Sequence, residues 1–112
     1  MKATFGEYIK KLRTDNGLTL TQLAFQLDLD SANLSKIENG KREFDEKRLE
    51  KLATAFNLDL DQLKTEYFAD QFAKKMYQYD CSPNTLIVAE EKVNYLKSVN
   101  TRQGKIDFEN EK

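Results

Sequence analysis

Helix-capping signals recur at short intervals in this sequence, and they constrain the fold more than any other feature. Thr4 and Glu7 have the spacing of a capping box, in which each side chain accepts a hydrogen bond from the other residue's backbone N–H. Thr19 and Gln22 repeat the pattern. Gly17 lies between the two boxes, where a residue in the left-handed conformation can end a helix. The chain is therefore predicted to begin with two helices separated by a tight turn.

Apolar residues at helical spacing, together with further caps, predict six helices in all. Asp30 is placed to cap a third helix and Asp45 a fourth, and a fifth spans about residues 60–79. Ser82 caps the sixth, with Pro83 at its first helical position. A single proline and four glycines also favour helices over a sandwich or barrel. We predict an all-α fold.

The residue inventory excludes several kinds of chemistry. The chain has no histidine, which removes zinc sites and His-dependent catalytic triads. Its one cysteine, Cys81, cannot form an internal disulfide, and the adjacent Asp80 disfavours a reactive thiolate. Cys81 is therefore predicted to be an ordinary residue of a helix junction rather than a redox sensor. No carboxylates form a recognisable catalytic pattern, so we expect neither an enzyme nor a cofactor.

One acidic run mimics a calcium loop, because Asn57, Asp59 and Asp61 alternate as the first oxygen ligands of such a loop do. The sixth position is Gln62 where the loop requires glycine, and the twelfth is Phe68 where it requires glutamate. We therefore predict no metal site. The two aspartates are expected to cap the fifth helix and to complement its dipole.

Length and hydropathy indicate one small domain with an appended element. The 112 residues are too few for two independent cores. No apolar stretch approaches the ~18 residues of a membrane span, and the N-terminus lacks the apolar region of a secretion signal. We expect a cytoplasmic protein without a membrane partner. The formal net charge of −1 means that any nucleic-acid-binding face must be local.

The second and third predicted helices have the pattern of a helix-turn-helix unit. Both are short, and the connection is the three-residue segment Asp28-Leu29-Asp30. Ala24 is small at the point where the helices would cross, and Leu29 and Leu34 are placed to pack beneath it. The arrangement is typical of DNA-binding domains.

Several further elements occur in one order at one spacing. They are Leu12-Arg13, Gly17-Leu18-Thr19, Gln22-Leu23-Ala24, Leu34-Ser35-Lys36-Ile37-Glu38-Asn39-Gly40-Lys41-Arg42, Leu52-Ala53 and Leu58-Asp59-Leu60-Asp61-Gln62-Leu63. Over about residues 5–66 this series resembles the phage-repressor and XRE-type helix-turn-helix family. The resemblance implies a five-helix repressor-like domain that binds double-stranded DNA and regulates transcription. Compact members of the family include controller proteins of restriction-modification systems.

The resemblance also implies which residues face the bases. In this family the helix after the turn enters the major groove, and its positions correspond here to Ser31, Ala32, Asn33 and Lys36. Hydroxyl and amide groups can bond to base edges, a lysine can reach guanine, and an alanine can contact a thymine methyl. The alternative is that these residues simply form a solvated helix face.

Phosphate contacts are implied at a second set of positions: Thr19, Thr21, Asn39, Lys41 and Arg42. Backbone N–H groups at a helix start form an anion site, and the two cations add charge. The chain departs from the family at Leu20, where relatives usually have glutamine, and an apolar side chain cannot bond a phosphate. The resemblance further implies that Arg13 and Glu38 form a structural ion pair that joins the first helix to the end of the third.

The C-terminal part carries more apolar surface than one small core can bury. It includes the aromatic residues Tyr67, Phe68, Phe72, Tyr77 and Tyr79, and the 3-4-3 stripe Leu86, Ala89, Val93 and Leu96. A second copy of the same surface would cover it, so we predict a homodimer interface formed by Phe68, Phe72, Leu86, Ala89, Val93 and Leu96. The alternative is an intramolecular helical hairpin in a monomer.

These expectations combine into one functional hypothesis. Residues 1–66 form the DNA-binding domain, residues 67–99 a helical dimerisation extension comprising helices 5 and 6, and residues 100–112 a polar flexible tail. The homodimer binds a two-half-site operator and regulates transcription, for example of restriction-modification genes, with no evident small-molecule ligand. The alternatives are a phage-type repressor and an antitoxin-like or adaptor protein whose C-terminal helices bind a partner protein.

Overall fold

The structure is a computed structural model that describes residues 3–103, with the backbone alone for residues 101–103. Within that range it consists of six α-helices and one short 3₁₀ helix, without a strand. The elements are α1 (Phe5–Asp15), α2 (Leu20–Gln26), α3 (Ser31–Glu38), the 3₁₀ helix (Glu46–Arg48), α4 (Leu49–Phe56), α5 (Leu60–Gln78) and α6 (Asn84–Gln103). The predicted all-α fold is confirmed. None of the described helices combines the length and the apolar character of a bilayer span.

Both predicted capping boxes are present. The Thr4 hydroxyl accepts from the Glu7 N–H at 3.2 Å, and Glu7 Oε1 accepts from the Thr4 N–H at 3.0 Å. Thr19 and Gln22 exchange the same pair of bonds at 3.1 and 2.8 Å. The bonds from the backbone and the hydroxyl of Thr4 lower the pKa of the Glu7 carboxyl. These local contacts fix the first residues of α1 and α2.

Residues in the left-handed conformation lie just after several of the described helices, including the turn between α2 and α3. Gly17 has φ 68° just after α1, as its position in the sequence predicts. Asn57, the C-cap of α4, has φ 53°, and Asp28, in the turn between α2 and α3, has φ 58°. Aspartate and asparagine tolerate this conformation better than other non-glycine residues. The turn at Asp28 is tight enough to bring α2 and α3 side by side.

Arg48 fastens the turn between α2 and α3 to the 3₁₀ helix. Its guanidinium donates to the carbonyl oxygens of Leu27 and Asp28, at 3.0 and 3.3 Å. The same group pairs with Asp45, the N-cap of the 3₁₀ helix, at 2.9 Å. The carbonyls at the end of α2 thereby gain partners that the helix itself cannot supply. No feature of the sequence pattern pointed to this role.

The N-terminal unit is held by one apolar core, to which α1–α5 and the loop before the 3₁₀ helix contribute. Its buried members are Phe5, Ile9, Leu23, Ala24, Leu27, Leu34, Ile37, Phe44, Leu49, Leu52, Ala53, Leu63 and Tyr67. Burying one leucine side chain fully contributes roughly 1.5–3 kcal/mol, so the set is large enough to fix these helices in one arrangement.

Gly6 allows α1 to approach the end of α3. A Cβ at this position would overlap with the carbonyl oxygen of Ile37 and lie 3.3 Å from that of Glu38. Backbone atoms cannot move aside as the end of a flexible side chain can. The packing of α1 on α3 therefore requires glycine here, a requirement that the capping box around it does not reveal.

The described chain divides into two compact units, one up to Lys75 and one from Met76 onward. The predicted division between residues 66 and 67 falls within α5. In the second unit, the Ser82 hydroxyl accepts from the Asn84 N–H at 3.2 Å ahead of α6. This helix continues to Gln103, past residue 100, where the polar tail is predicted to begin, and the rest of that tail lies outside the described residues.

Candidate DNA-binding site

The helices α2 and α3 form the helix-turn-helix arrangement that their spacing predicts. Ala24 is 2% exposed, and its carbonyl oxygen accepts from the Leu29 N–H at 2.9 Å. Leu34 is fully buried, and Leu29 is partly buried against the same core. These contacts orient α3 so that Leu34 and Ile37 face inward while Ser31, Ala32 and Lys36 are exposed.

The predicted base-reading residues occupy the exposed part of α3 and its edge. Ser31 and Ala32 are in the first turn, and Lys36 is in the last turn. Asn33 is half-buried. All four therefore lie on the helix that the arrangement of α2 and α3 presents, and no described contact buries the three exposed ones.

Asn33 is held by two charged neighbours. Its backbone N–H donates to Asp30 Oδ1 at 2.7 Å, and its side-chain Nδ2 donates to Asp30 Oδ2 at 2.9 Å. Its Oδ1 accepts from Arg42 Nη1 at 2.9 Å. A predicted base reader and a predicted phosphate contact are thus in direct contact with each other, which the sequence did not indicate.

The other predicted phosphate positions are exposed on separate elements. Thr19 and Thr21 lie at the start of α2, where the Thr19 hydroxyl is already used as a cap. Asn39 follows α3 and donates to the carbonyl oxygen of Ser35 at 2.9 Å, and Lys41 is in the next loop. Backbone N–H groups at the start of α2 and the loop cations remain suited to bind an anion.

The surroundings of Leu20 explain why an apolar residue replaces the glutamine of the family pattern. Its side chain is partly buried and packs against the apolar core. A residue in that position stabilises α2 rather than binding phosphate. The polar groups at this helix end are therefore the hydroxyls of Thr19 and Thr21 and the backbone amides.

Arg13 and Glu38 form the ion pair that the resemblance implies. The guanidinium Nε and Nη2 donate to the two carboxylate oxygens at 2.7 and 3.0 Å, and Nη1 donates to the Leu18 carbonyl oxygen at 3.0 Å. The Glu38 side chain is only 3% exposed. The hydrogen bonds to Glu38 raise the pKa of Arg13, although burial opposes them. The pair joins α1 to the last turn of α3, so it fixes the orientation of the candidate DNA-reading helix.

Tyr67 departs from the sequence-based expectation of surplus aromatic surface, because it is 7% exposed. Its hydroxyl donates to the Phe44 carbonyl oxygen at 2.6 Å, and its ring packs edge-on against Phe5. Burial raises the pKa of Tyr67, as do nearby carboxylates, first among them Glu43. Tyr67 thus anchors the loop that follows Lys41 and Arg42.

A polar cluster holds the same loop on α5. Glu43 accepts from Gln71 Nε2 at 2.7 Å and pairs with Lys74 at 3.2 Å. Lys74 also lies 3.0 Å from Asp70. Burial lowers the pKa of Lys74, but the hydrogen bonds to Asp70 and Glu43 outweigh it and leave the pKa raised. The residue directly after the candidate phosphate contacts is therefore fixed to a long helix.

The residues predicted for a dimer interface are exposed in this single chain. Phe68, Phe72, Leu86, Val93 and Leu96 have exposed fractions between 36% and 58%, and Ala89 is exposed as well. Exposure is the state that an unpaired interface would have.

The acidic run that mimics a calcium loop and the single cysteine lie at helix ends and connections. Asp59 Oδ1 accepts from the Asp61 N–H at 3.1 Å at the start of α5, which is the capping role predicted for it. Cys81 belongs to the segment that connects α5 to α6, and it is half-buried. Within residues 3–103, no cluster of histidine, cysteine, aspartate and glutamate has the size and geometry to hold a metal ion.

Comparison with known proteins decides the family. A helix-turn-helix family model, HTH_3, matches residues 9–63. Control protein C.MunI from Mycoplasma sp is 39% identical over 64 residues, which cover 56% of this chain and 86% of that protein. The chain belongs to the HTH_3 helix-turn-helix family. It is a DNA-binding transcriptional regulator and not an enzyme, and the family assignment made from the sequence is confirmed.

The solved structures that resemble the chain include those of a controller protein and a transcriptional regulator. The restriction-modification controller protein C.AhdI from Aeromonas hydrophila is 36% identical, with a TM-score of 0.48, over 53% of this chain and 89% of that one. A transcriptional regulator from Listeria innocua has a TM-score of 0.50 and 21% identity, over 94% of this chain and 100% of that one. At this identity the second likeness concerns the fold alone.

Proposed function

We propose that this regulator binds, as a homodimer, an operator with two half-sites and thereby controls transcription of restriction-modification genes. The exposed face of α3 carries the proposal, because the arrangement of α2 and α3 presents polar side chains to a major groove. The 39% identity to control protein C.MunI, over most of that protein's length, supports the choice of genes.

Base reading is assigned to Ser31, Ala32, Asn33 and Lys36. Their side chains include the groups that recognise base edges, and the opposite face of α3 is fixed in the core. Lys36 is exposed and long enough to reach a guanine. Its removal should relax the preference at one base position by about tenfold, since a good contact discriminates by about 1–3 kcal/mol.

Phosphate binding is assigned to Thr19, Thr21, Asn39, Lys41 and Arg42. The start of α2 offers backbone N–H groups, and Lys41 adds a positive charge that carries no sequence information. Removing Lys41 should therefore weaken binding to all sequences about equally. It should also lower the salt dependence of binding by about one counterion.

Dimerisation is assigned to Phe68, Phe72, Leu86, Ala89, Val93 and Leu96. In water, the free energy falls when a second copy of the chain covers exposed apolar side chains. Two half-sites on one duplex then bind together, because the second contact forms at a high effective concentration. The helices that bear these residues would set the distance between the two copies of α3.

The exposed apolar surface also supports a second candidate, an antitoxin-like or adaptor function in which the C-terminal helices bind a different protein. This candidate predicts a monomer at micromolar concentration that forms a stable complex with that protein. The homodimer predicts self-association at the same concentration. Analytical ultracentrifugation of the purified chain distinguishes the two.

The primary test is selection of binding sites from a randomised duplex library at near-physiological salt. The expected product is an inverted repeat whose half-sites are about one helical turn apart. Lys36→Ala should relax one symmetric pair of positions, and Lys41→Ala is the control that should relax none. A folded protein that enriches no sequence would overturn the proposal, and a single half-site would overturn its homodimer component.

A further inference from the structure

Three side chains at the edge of α3, those of Asp30, Asn33 and Arg42, are linked by hydrogen bonds. They connect a residue assigned to base reading with one assigned to phosphate binding. A carboxylate only accepts hydrogen bonds and a guanidinium only donates them. The Asn33 amide lies between the two, with Nδ2 on Asp30 and Oδ1 on Arg42. Reversing the amide would bring its NH₂ against the guanidinium and its carbonyl against the carboxylate. The two neighbours therefore define which end donates and which accepts.

The two bonds leave Asn33 with unused capacity of both kinds. An asparagine amide has two donor hydrogens and an oxygen with two lone pairs. One hydrogen is used by Asp30 and one lone pair by Arg42, so one donor and one acceptor remain. Asparagine recognises adenine with one donor and one acceptor, which bond to N7 and N6. The contacts seen in the free protein are thus compatible with simultaneous reading of adenine.

The two charged neighbours of Asn33 are positioned in different ways. Asp30 is held by α3 itself, whereas the position of Arg42 depends on the loop that follows α3. Asp30 is the N-cap of α3 and also accepts from the Asn33 backbone at 2.7 Å, so it is fixed by the helix itself. Arg42 comes from the exposed loop after α3 and reaches back across nine residues. That loop is held in turn by Tyr67 through Phe44 and by the contacts of Glu43. The position of the guanidinium is therefore determined by tertiary packing.

We propose that Arg42 is a specificity-determining positioning residue, which holds the Asn33 amide in the orientation that reads an adenine. The proposal rests on the function proposed above and deepens it, because it assigns Arg42 to sequence preference as well as to backbone affinity. Without the guanidinium, the Asn33 amide keeps its bond to Asp30 but loses the contact that orders its oxygen. It then reads the base with less discrimination.

The test compares base preference in site selections with the unmodified chain and five variants, of which four are single substitutions and one is the double variant Asn33→Ala/Arg42→Ala. Asn33→Ala identifies the position that Asn33 reads. Arg42→Ala removes the positioning contact, and Arg42→Lys keeps a charge and a donor at the same place. Lys41→Ala is the matched control, since it removes an equal charge from the adjacent exposed residue.

The expected result is a shared loss at one position. Asn33→Ala and Arg42→Ala should each reduce the preference for adenine there by about tenfold, which is within the usual discrimination of a bidentate contact. The double variant should lose no more than Asn33→Ala alone, because the two residues act through one contact. Arg42→Lys should retain the preference, and Lys41→Ala should leave it unchanged while lowering affinity.

Two outcomes would overturn the proposal. One is an Arg42→Ala variant that binds all sequences more weakly with an unchanged preference at the Asn33 position, which would make Arg42 a phosphate contact only. The other is an Asn33→Ala variant with no altered position. Failure of the proposed function looks different, because the unmodified protein would then select no sequence at all. Melting temperatures equal to that of the unmodified protein verify that the exposed Arg42 and Lys41 substitutions leave the fold intact.

Discussion

The helices α4 and α6 both carry apolar residues at helical spacing, yet their surroundings differ. The eight residues of α4 include three that are buried, Leu49, Leu52 and Ala53. The much longer α6 has exposed side chains from Asn84 to residue 98. Apolar periodicity therefore predicts a helix and which of its faces is apolar, but it does not predict what covers that face. The N-terminal unit completes its own core, whereas the apolar side chains of α6 are exposed up to residue 98.

The difference has an energetic meaning. Helices as short as α2, α3 and α4 are unstable alone, so their stability must come from tertiary packing. Substitutions in the N-terminal unit should therefore lower the free energy of unfolding, and substitutions on α6 should instead change association. Four variants test this contrast, in order of decreasing expected effect on the free energy of unfolding.

Glu38→Ala should have the largest effect. It leaves the Arg13 guanidinium partly buried without its carboxylate, and breaking a buried pair from one side costs about 3–5 kcal/mol. Urea denaturation should show a lower midpoint, with exposed Glu50→Ala as the control. A Glu38→Ala protein that keeps its melting temperature but loses DNA binding would contradict the structural role of the pair.

Gly6→Ala should destabilise the same unit by about 1–3 kcal/mol, because the new Cβ collides with the Ile37 carbonyl oxygen and forces α1 away from α3. Thermal unfolding followed by circular dichroism measures the change. Lys10→Ala, on the exposed side of α1, should shift the free energy by less than about 0.5 kcal/mol. Equal stability of Gly6→Ala and Lys10→Ala would show that α1 and α3 pack less closely than described.

Tyr67→Phe should cost about 1 kcal/mol at neutral pH, through loss of the hydrogen bond to Phe44. Burial raises the pKa of Tyr67 above its usual 10.0, so its contribution is complete below pH 10 and is lost as the pH rises through the folded-state value. The unmodified protein should therefore lose stability above pH 10 more steeply than the variant. Tyr8, whose pKa burial also raises, is present in both and supplies a shared background.

The measurement is the denaturation midpoint at a series of pH values from 8 to 11, a range that includes the usual tyrosine pKa of about 10. Tyr77→Phe, on an exposed tyrosine, is the matched control and should follow the unmodified protein. Parallel curves for the unmodified protein and Tyr67→Phe would argue against a buried hydroxyl at residue 67.

Val93→Asp should have the smallest effect on the N-terminal unit. At dilutions where the chain is monomeric, the free energy of unfolding should change by less than about 0.5 kcal/mol. Sedimentation at micromolar concentration should nevertheless show loss of self-association, because a charge would enter the apolar interface. Asn94→Asp adds the same charge at a neighbouring polar position and should remain associated. A large loss of stability in Val93→Asp monomers would remove the contrast between the two units.

The sequence predicted the helices because their signals are local. Capping boxes, the left-handed Gly17 and the cap at Asp30 each depend on residues within about four positions of one another. The exposed face of α3 followed from helical spacing once its apolar residues were known. The predicted start of the fourth helix at Asp45 was close, since a 3₁₀ turn precedes α4 there.

The contacts that sequence reasoning missed join residues far apart in the chain. Arg48 binds carbonyls 20 and 21 residues away, and Tyr67 binds Phe44 across 23. Tyr67 is one of several aromatic residues in its region, and nothing in their spacing distinguishes the buried member. The contact between Arg42 and Asn33 likewise depends on the path of a loop that has no periodicity.

By itself, the sequence determined the order of the six helices and the caps at which the first three begin, the pattern of α2 and α3, and membership of a DNA-binding family. Tertiary structure alone decided that Gly6 must be a glycine, that Tyr67 is buried and that Arg42 orients Asn33. The physical reason is range. Hydrogen bonds within one turn are encoded by neighbouring residues, whereas packing and long-range hydrogen bonds exist only after the chain has brought distant residues together.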